Sequence, residues 1–369
     1  MRVTLGDVCE KGASNIKQSD IANMTGEYPI YGAAGYIGNV DFYHQEKPYV
    51  AIVKDGAGIG RTTLHPAKSS VIGTMQYLLP KDNVLPEYLC YVVRHMHLEK
   101  YFTGATIPHI YFRDYKNEKF NLDSLDKQAE IIEILGKAES IILKRRKELA
   151  ELDNLIKARF VEMFGIYPAN QMGWETGKIR DTVADVRYGS SRPAVDGGKY
   201  PYLRMNNITY GGELDLSDVK RIDVPENELD KCTVRRGDVL FNRTNSKELV
   251  GKTCVYDRDE MMVLAGFVIR VRVNDRVLPE FLSAFLNTDF SKKTLSEMCK
   301  AAIGQANINA QEMQNIGLYL PPLELQRQFV QFKKQTDKSK VVESIHRMNV
   351  LFNITLNGGN RYDIRANEF

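Results

Sequence analysis

A glycine-rich loop is the segment whose residue types come nearest to a chemical site. Asp55-Gly-Ala-Gly-Ile-Gly60 follows the apolar run Tyr49–Val53, which predicts a strand leading into a tight turn. Such loops cradle phosphates only where a helix follows, and here the β-branched run Arg61-Thr-Thr-Leu-His65 follows instead. We therefore interpret the loop as a hairpin whose backbone approaches another group closely, with nucleotide binding as the minority alternative.

Side chains rich in hydrogen-bond donors flank this loop and recur later in the chain among Asn, Ser and Gly residues. They suit phosphate oxygens and base edges, since arginine can fork onto guanine and asparagine onto adenine. Any single one is more simply a turn former, but several arginine-containing clusters in one segment favour nucleic-acid recognition. The candidate DNA-binding residues are Lys54, Arg61, Thr62, Thr63, Thr106, His109, Tyr188, Ser190, Ser191, Arg192, Arg204, Asn206, Asn207, Asn242, Arg243, Thr244, Asn245, Lys252, Gln305 and Asn307.

Catalytic and cofactor motifs are missing from the sequence. There is no Walker loop, no His-Glu-x-x-His and no Asn-Pro-Pro-Tyr-like tetrapeptide, and the only Pro-Pro lies in Leu320-Pro-Pro-Leu323. His109 has no Cys, Asp or second His at ligand spacing, which argues against a metal site. We expect no catalytic residue, no metal and no cofactor in this chain.

An internal repeat organises the chain. Val84-Leu-Pro-Glu-Tyr88 recurs as Val277-Leu-Pro-Glu-Phe281. Each copy continues through a small-residue turn, at Gly104 or Gly304, to an apolar run and a long helical pattern. We pair Lys127-Gln128 with Arg327-Gln328, 200 residues later. A repeat of this length predicts two equivalent domains.

A long helix is predicted from about residue 125 to 164. Apolar residues recur there at alternating spacings of four and three, which is a heptad seam interrupted by Arg145. The helix would be roughly 60 Å long, and its apolar stripe must pack against a partner. The expected partner is the equivalent helix of the second copy. The seam residues are Ile131, Leu135, Ala138, Ile142, Leu149, Leu152 and Ile156, with Val342, Ile345 and Phe352 on the second helix.

The rest of the chain alternates short β-rich runs with turns, which indicates an α+β fold. We predict two β-rich domains with packed helices, at 1–121 and 166–320. The long helices occupy 122–165 and 321–357, and a polar tail occupies 358–369. Besides Tyr49–Val53, the predicted elements are strands at Met75–Leu79, Tyr200–Leu203, Asp238–Phe241, Thr253–Tyr256 and Phe267–Val273, and one helix at Pro86–Leu98.

Composition sets limits on function. The 369 residues are 43% hydrophobic and 26% charged, with a net charge of only +3, so nucleic-acid binding must rely on local basic surfaces. The five cysteines are scattered without a Cys-x-x-Cys pair, which favours reduced, buried thiols. With neither a signal-peptide pattern nor a run of about 18 apolar residues, we expect a cytoplasmic protein.

Together these segments resemble the specificity subunits of type I restriction-modification systems. The resemblance implies two target-recognition domains in pseudo-twofold arrangement, each reading one half of a bipartite site in double-stranded DNA. An antiparallel coiled coil of the two long helices would set the spacer. The segments that carry the resemblance are Tyr28–Gly38, Ala51–Arg61, Leu203–Ile208, Arg236–Arg243 and Leu320–Gln328.

The resemblance also implies partners and a departure. Two modification subunits would carry S-adenosylmethionine and methylate adenine, and restriction subunits would use ATP and Mg. The departure is a short second helix ending at Asn357-Gly-Gly-Asn360. Two alternatives remain open: a self-contained DNA methyltransferase or restriction enzyme, and a structural coiled-coil protein whose β domains bind other proteins.

Overall fold

The computed structural model describes residues 1–103, 107–299 and 306–357, with side chains described as far as Lys340. The chain divides into two compact units, the first built on Met1–Ile142 and the second on Leu143–Val350. All five cysteines are buried and free, as the sequence predicted. No helix in the described ranges is long and apolar enough to cross a membrane.

Unit 1 is a set of short strands with helices packed on them. The predicted strand Tyr49–Val53 is observed with those bounds, and all five of its residues are buried. The helix predicted at Pro86–Leu98 ends at His95, and a separate 3-10 turn covers Leu98–Tyr101. The elements are β1 (Arg2–Thr4), α1 (Leu5–Val8), β2 (Cys9–Ala13), β3 (Tyr28–Gly32), β4 (Gly35–Val40), β5 (Tyr49–Val53), β6 (Thr62–His65), β7 (Ser70–Val71), β8 (Met75–Pro80), α2 (Pro86–His95), α3 (Phe112–Tyr115), β9 (Lys119–Asn121) and α4 (Leu125–Phe164).

Unit 2 follows the same plan after α4. The other predicted strands are observed within one residue of their expected bounds, because their Val, Ile, Phe and Tyr residues suit a buried sheet. The elements are β10 (Glu175–Lys178), β11 (Val183–Tyr188), β12 (Tyr200–Leu203), β13 (Lys220–Ile222), α5 (Glu226–Cys232), β14 (Thr233–Val234), β15 (Val239–Asn242), β16 (Thr244–Asn245), β17 (Thr253–Val255), β18 (Met262–Leu264), β19 (Val268–Val273), α6 (Pro279–Leu286), α7 (Asp289–Met298), β20 (Ala306–Asn307), α8 (Ala310–Gln314), β21 (Gly317–Leu320) and α9 (Leu323–Asn357).

Sheet topology confirms the duplication. The four-stranded sheet of unit 1 has the order β2-β8-β5-β6, and that of unit 2 has the order β11-β19-β15-β17. In the next sheet, β3 pairs antiparallel with β4 and parallel with β7, and β12 pairs in the same way with β13 and β18. The two-stranded pairs β1-β9 and β10-β21 also correspond. The two units therefore share one arrangement of strands, to which unit 2 adds β14 beside β18.

The long helix α4 contributes to the core of each unit. Ile131 and Ile132 pack against the unit 1 core, whereas Phe160 and Phe164 are buried members of the unit 2 core. The seven seam positions predicted on α4, and Arg145, are all buried or half-buried, while the neighbouring Leu143 is 64% exposed. Ile132, Ile134 and Ile141, which lie off the predicted seam, are half-buried as well.

Within unit 2, α4 and α9 run antiparallel. The rings of Phe160 and Phe329 have centroids 5.2 Å apart, and Lys340 Nζ lies 2.6 Å from Asp153 Oδ1. Residues with increasing numbers along α4 therefore contact residues with decreasing numbers along α9. Burial opposes the charge of Lys340, but hydrogen bonds to Asp153 and Asp337 raise its pKa.

The seam of α9 begins earlier and is more polar than the sequence analysis predicted. Phe329 and Thr336 are buried in the first half of the helix, and Lys333 and Lys340 occupy the positions between and after them. The side chains of the predicted seam residues Val342, Ile345 and Phe352 lie outside the described part of the chain.

One buried glutamine links α4 to the rest of unit 1. Gln128 is fully buried in the first turn of the helix. Its Oε1 accepts a hydrogen bond of 2.8 Å from the Leu85 amide, immediately before α2. Its Nε2 donates to the carbonyl oxygens of Asn83, at 3.0 Å, and Asp123, at 2.9 Å. The side chain thereby satisfies main-chain groups of three segments at a buried junction.

Gln326 makes the same three bonds in unit 2. Its Oε1 accepts from the Leu278 amide at 2.8 Å, and its Nε2 donates to the carbonyl oxygens of Arg276, at 3.2 Å, and Pro321, at 2.8 Å. The partner of Gln128 is thus Gln326, 198 residues later. The sequence pairing with Gln328 was two residues out of register, because it matched residue identity alone.

We expect Gln326→Leu to lower the free energy of unfolding of unit 2 by about 2 kcal/mol, since it leaves one buried and two partly buried main-chain groups without this partner. Gln328→Leu is the matched control on an exposed position of the same helix. It should change the free energy of unfolding by no more than about 0.5 kcal/mol. Urea unfolding of both variants measures the difference, and equal losses would contradict the assignment.

Candidate nucleic-acid interface

In unit 1 the glycine loop closes between the adjacent strands β5 and β6. The Gly60 amide donates to the Val53 carbonyl at 2.9 Å, and Gly60 has a φ of +81°. The residue after β5, Lys54, donates its amide to the Thr74 carbonyl at 3.0 Å and accepts from the Ile110 amide at 2.9 Å. The main chain therefore holds Lys54 between two other segments.

Unit 2 builds the same frame from different residues. The Gly251 amide donates to the Asn242 carbonyl at 2.8 Å, and Gly251 has a φ of +77°. Arg243 donates its amide to the Phe267 carbonyl at 3.0 Å and accepts from the Ile308 amide at 2.9 Å. Lys54 and Arg243 are therefore equivalent positions, and each carries a cation.

The residues next to these cations form equivalent side-chain pairs. In unit 1, Asp55 Oδ1 lies 2.7 Å from His109 Nδ1, and a β-bridge joins the two residues. In unit 2, the Thr244 hydroxyl donates to Asn307 Oδ1 at 2.8 Å, and the same two residues pair between β16 and β20. Sequence spacing gave His109 no acidic neighbour, but the fold provides Asp55.

Arg243 belongs to an exposed aromatic cluster. Its guanidinium carbon lies 4.9 Å from the centroid of the Tyr188 ring, and the Tyr188 hydroxyl oxygen accepts from the Ala310 amide at 2.9 Å. Phe267, whose carbonyl binds the Arg243 amide, is 53% exposed. A guanidinium stacked on one ring beside a second exposed ring can contact both a phosphate and the face or methyl group of a base.

Two further cations connect the sheets within their units. Arg61 donates from Nη1 to the carbonyl of Ala33 at 2.8 Å, just after β3. Lys252 donates from Nζ to the carbonyl of Met205 at 2.9 Å, shortly after β12. Gly60 and Gly251 precede these cations, so the two bonds are equivalent. Arg61 is exposed and keeps donors for a ligand, whereas Lys252 is buried.

The comparisons with known proteins agree with this architecture. A family model described as the type I restriction modification DNA specificity domain matches residues 1–154 and 172–347. The chain belongs to this family.

Individual specificity-domain proteins are similar at low identity. The chain is 24% identical over 220 residues to the type I restriction enzyme EcoKI specificity subunit of Escherichia coli (strain K12), covering 57% of this chain and 47% of that one. It is 25% identical over 341 residues to the MjaVIII specificity subunit of Methanocaldococcus jannaschii, covering 84% and 78%. The chain thus spans about half the length of the EcoKI subunit.

A solved structure shares the fold. The type I restriction-modification S subunit from M. genitalium superimposes with a TM-score of 0.53 at 14% identity, covering 96% of this chain and 95% of that one. The α+β fold class predicted from the sequence is confirmed.

Several of the predicted DNA-binding side chains of this specificity-domain protein are buried and do not lie on its surface. Asn242 and Lys252 are buried, and Asn207 uses its amide on the Asp215 and Asp218 carbonyls at 2.9 and 3.1 Å. Thr62 is buried and donates to the Gly60 carbonyl. In this conformation these four side chains organise loops rather than present donors.

Most of the other candidates among the described residues are exposed or half-buried, whereas Ser190 and Thr244 are buried. Arg192 forms a forked pair with Glu228, with contacts of 3.2 and 2.7 Å, and this hydrogen bonding lowers the pKa of Glu228. Arg204 donates to Asp218 at 2.8 Å, so both arginines are engaged by carboxylates. Thr63 forms a hydrogen bond with His65, while Ser190 and Asn245 accept from the amides of Arg192 and Ser246. Ser191 and Asn206 are exposed. Thr106 and Gln305 lie outside the described residues.

Sequence reasoning missed Phe267 and Lys292. Phe267 begins an apolar run that predicts a buried strand, so no sequence signal marked it as exposed. The Lys292 ammonium lies 5.3 Å from the Tyr210 ring centroid and donates to the Gly251 carbonyl at 3.0 Å. Burial, with the nearby charge of Lys252, lowers the pKa of Lys292 to about 8. Across the described residues, no group of three or more His, Cys, Asp or Glu side chains could hold a metal.

Gly60 and its equivalent in unit 2, Gly251, should both be required for the local main-chain geometry. A Cβ at Gly60 would lie 2.8 Å from the Glu99 amide nitrogen, and one at Gly251 would lie 2.6 Å from Leu295 Cδ1. We expect Gly60→Ala and Gly251→Ala each to lower the free energy of unfolding by about 1–3 kcal/mol. Gly58→Ala, where a Cβ would meet only the flexible end of Arg61, is the control and should have little effect. Urea unfolding measures all three, and a neutral Gly60→Ala would contradict this explanation.

Proposed function

We propose that this chain is the non-catalytic DNA specificity subunit of a type I restriction-modification complex, in which each unit reads one half of a bipartite DNA site. One observation carries the proposal: two units with corresponding sheets hold different polar side chains on the same main-chain frame. Unit 1 has Lys54 and His109 where unit 2 has Arg243 and Asn307. Equivalent frames with different donors suit two different base sequences.

The proposed partners supply the chemistry. Two modification subunits would bind S-adenosylmethionine and methylate adenine, and restriction subunits would use ATP and Mg. The complex would act on cellular DNA in the cytoplasm, where the five free thiols stay reduced.

The exposed faces of the long helices are the proposed docking surface for the modification subunits. In unit 2, a groove of about 500 Å³ lies between the start of α6 and α9, with Leu278 and Val330 among its lining residues. Arg327, Lys334 and Lys338 line it from α9, and Glu280, 3.3 Å from Lys334 Nζ, lines it from α6. An acidic and apolar segment of the partner would complement this lining.

The function is tested by reconstitution. The purified chain mixed with its modification subunit should methylate DNA at one bipartite site, and neither protein alone should do so. Sequencing of the methylated product gives both the half-sites and the modified base. Methylation by this chain alone, after removal of co-purifying proteins, would favour the self-contained enzyme. If the mixture retains no DNA duplex in preference to others, a protein-interaction role is favoured instead.

The helices are the proposed ruler between the half-sites. The α4 helix is continuous through residues assigned to both units, and its seam is a stiff 3.5-residue repeat. A seven-residue insertion keeps that repeat in phase. It lengthens a helix by about 10 Å, which corresponds to about three base pairs at the axial rise of B-DNA.

We expect heptad insertions after Ile142 in α4 and after Val350 in α9, made together, to lengthen the preferred spacer by up to about three base pairs. Each half-site sequence should stay the same. Selection from DNA with randomised half-sites and spacers measures both quantities. A two-residue insertion at the same two points is the control, because it turns the seam by about 200° and should weaken binding instead. An unchanged spacer would show that the helices are not the ruler.

A further inference from the structure

We propose that His109 and Asn307 are equivalent base-reading residues, one for each half-site, and that Asp55 and Thr244 are the residues that position them. The inference rests on the proposed function and deepens it. It names the side chains that distinguish bases and the chemical group that one of them recognises.

The equivalence follows from main-chain contacts on both sides of each pair. Before the pair, the amide of Ile110 donates to Lys54, just as the amide of Ile308 donates to Arg243. On the other side of the pair, the amide of Gly56 donates to the Pro108 carbonyl. At the equivalent place in unit 2, Asn245 of β16 pairs with Ala306 of β20. Main-chain hydrogen bonds thus fix the Cα position of each reading residue, whatever its side chain.

In unit 2 the orientation of the reading amide is defined. Thr244 is buried, and its hydroxyl donates to Asn307 Oδ1, whereas Asn307 is exposed. Because the carbonyl oxygen of the amide is held from the protein side, the amide nitrogen is the group available to a ligand. That nitrogen only donates, so it should read a base edge with acceptors, such as guanine O6 and N7, adenine N7 or thymine O4.

In unit 1 the orientation of the reading ring is defined by charge. A carboxylate can only accept, so the 2.7 Å contact requires a proton on His109 Nδ1. The other ring nitrogen, Nε2, is then the atom left for a base. Lys54 Nζ lies 3.7 Å from the other carboxylate oxygen, Asp55 Oδ2. The side chain of His109 is 36% exposed, so a ligand can reach it.

The neighbouring cations complete each reading point. Lys54 and Arg243 directly precede the positioning residues, so a phosphate bound by either cation would place the adjacent base edge near the reader. Arg243 is further ordered by stacking on Tyr188. This arrangement separates affinity, supplied by the cations, from base choice, supplied by His109 and Asn307.

The decisive variant is Asn307→Asp, which keeps the side-chain shape but replaces the donor by an acceptor. In the complex with its modification subunit, selection from randomised duplexes should show a changed base at one position of one half-site. Preference should move from guanine, adenine or thymine to cytosine, whose major-groove edge presents an amino donor and no acceptor, by about tenfold or more. The other half-site should be unchanged, which also shows that the variant is folded.

Asn227→Asp is the matched control, since Asn227 is an exposed asparagine of unit 2 on α5 and receives the same charge change. It should reproduce the wild-type preferences at every position. His109→Asn is the companion variant in unit 1, and it should alter one position of the opposite half-site only.

The positioning role is tested with Thr244. Thr244→Val removes the hydroxyl but keeps the shape, so discrimination at the Asn307 position should fall several-fold while total affinity for the preferred site changes little. Thr244→Ser restores the hydroxyl and should restore discrimination. Equal discrimination in the wild type and Thr244→Val would overturn the positioning role.

Failure of this inference can be told apart from failure of the proposed function. If the wild-type complex selects no bipartite site, the proposed function itself is wrong. If it selects a bipartite site and Asn307→Asp leaves every base preference unchanged, or weakens binding to all sequences equally, the reading role is wrong and the proposed function stands.

Discussion

Each unit is fastened to its long helix by one buried glutamine amide, and the rest of the arrangement depends on that contact. An amide offers an acceptor and two donors on one side chain, so Gln128 and Gln326 each satisfy three main-chain groups where a helix start, a strand end and a second helix meet. In unit 1 the three bonds of Gln128, together with those of Tyr91 and Arg94 to Glu139, set the rotation of the long helix about its own axis. That rotation decides which residues face inward and therefore which stripe becomes the seam.

Local sequence patterns predicted the elements well but not the contacts between distant segments. Tyr49–Val53 was recognisable as a strand, and Leu125–Phe164 as a helix, because β-branched runs and heptad spacing are local signals. The seam of α9 was hidden because Lys333 and Lys340 occupy positions that an apolar pattern would fill. The side-chain pair at His109 joins residues 54 apart, which periodicity cannot detect.

Equivalent roles in the two units are filled by unlike residues, which explains why identity matching failed at several points. A guanidinium from Arg61 and an ammonium from Lys252 connect corresponding sheets through a carbonyl. Arg94 at the end of α2 and Asn287 just after α6 likewise bind the carbonyls of equivalent threonines, at 3.2 and 2.7 Å. In each case the geometry requires a donor of suitable reach rather than one residue type. Repeats of this kind are better aligned by hydrogen-bond role than by letter.

The main-chain frame around Lys54 and Arg243 has an evolutionary consequence. Backbone hydrogen bonds hold it in both units, so replacing an exposed side chain on this frame should cost little folding stability. Mutations there can accumulate without being removed by selection against unfolding. Under the proposed function, one half of the target could drift while the other stays constant, because each unit carries its own frame. A lineage could then acquire a new target sequence in single steps, each leaving a folded protein for selection to act on.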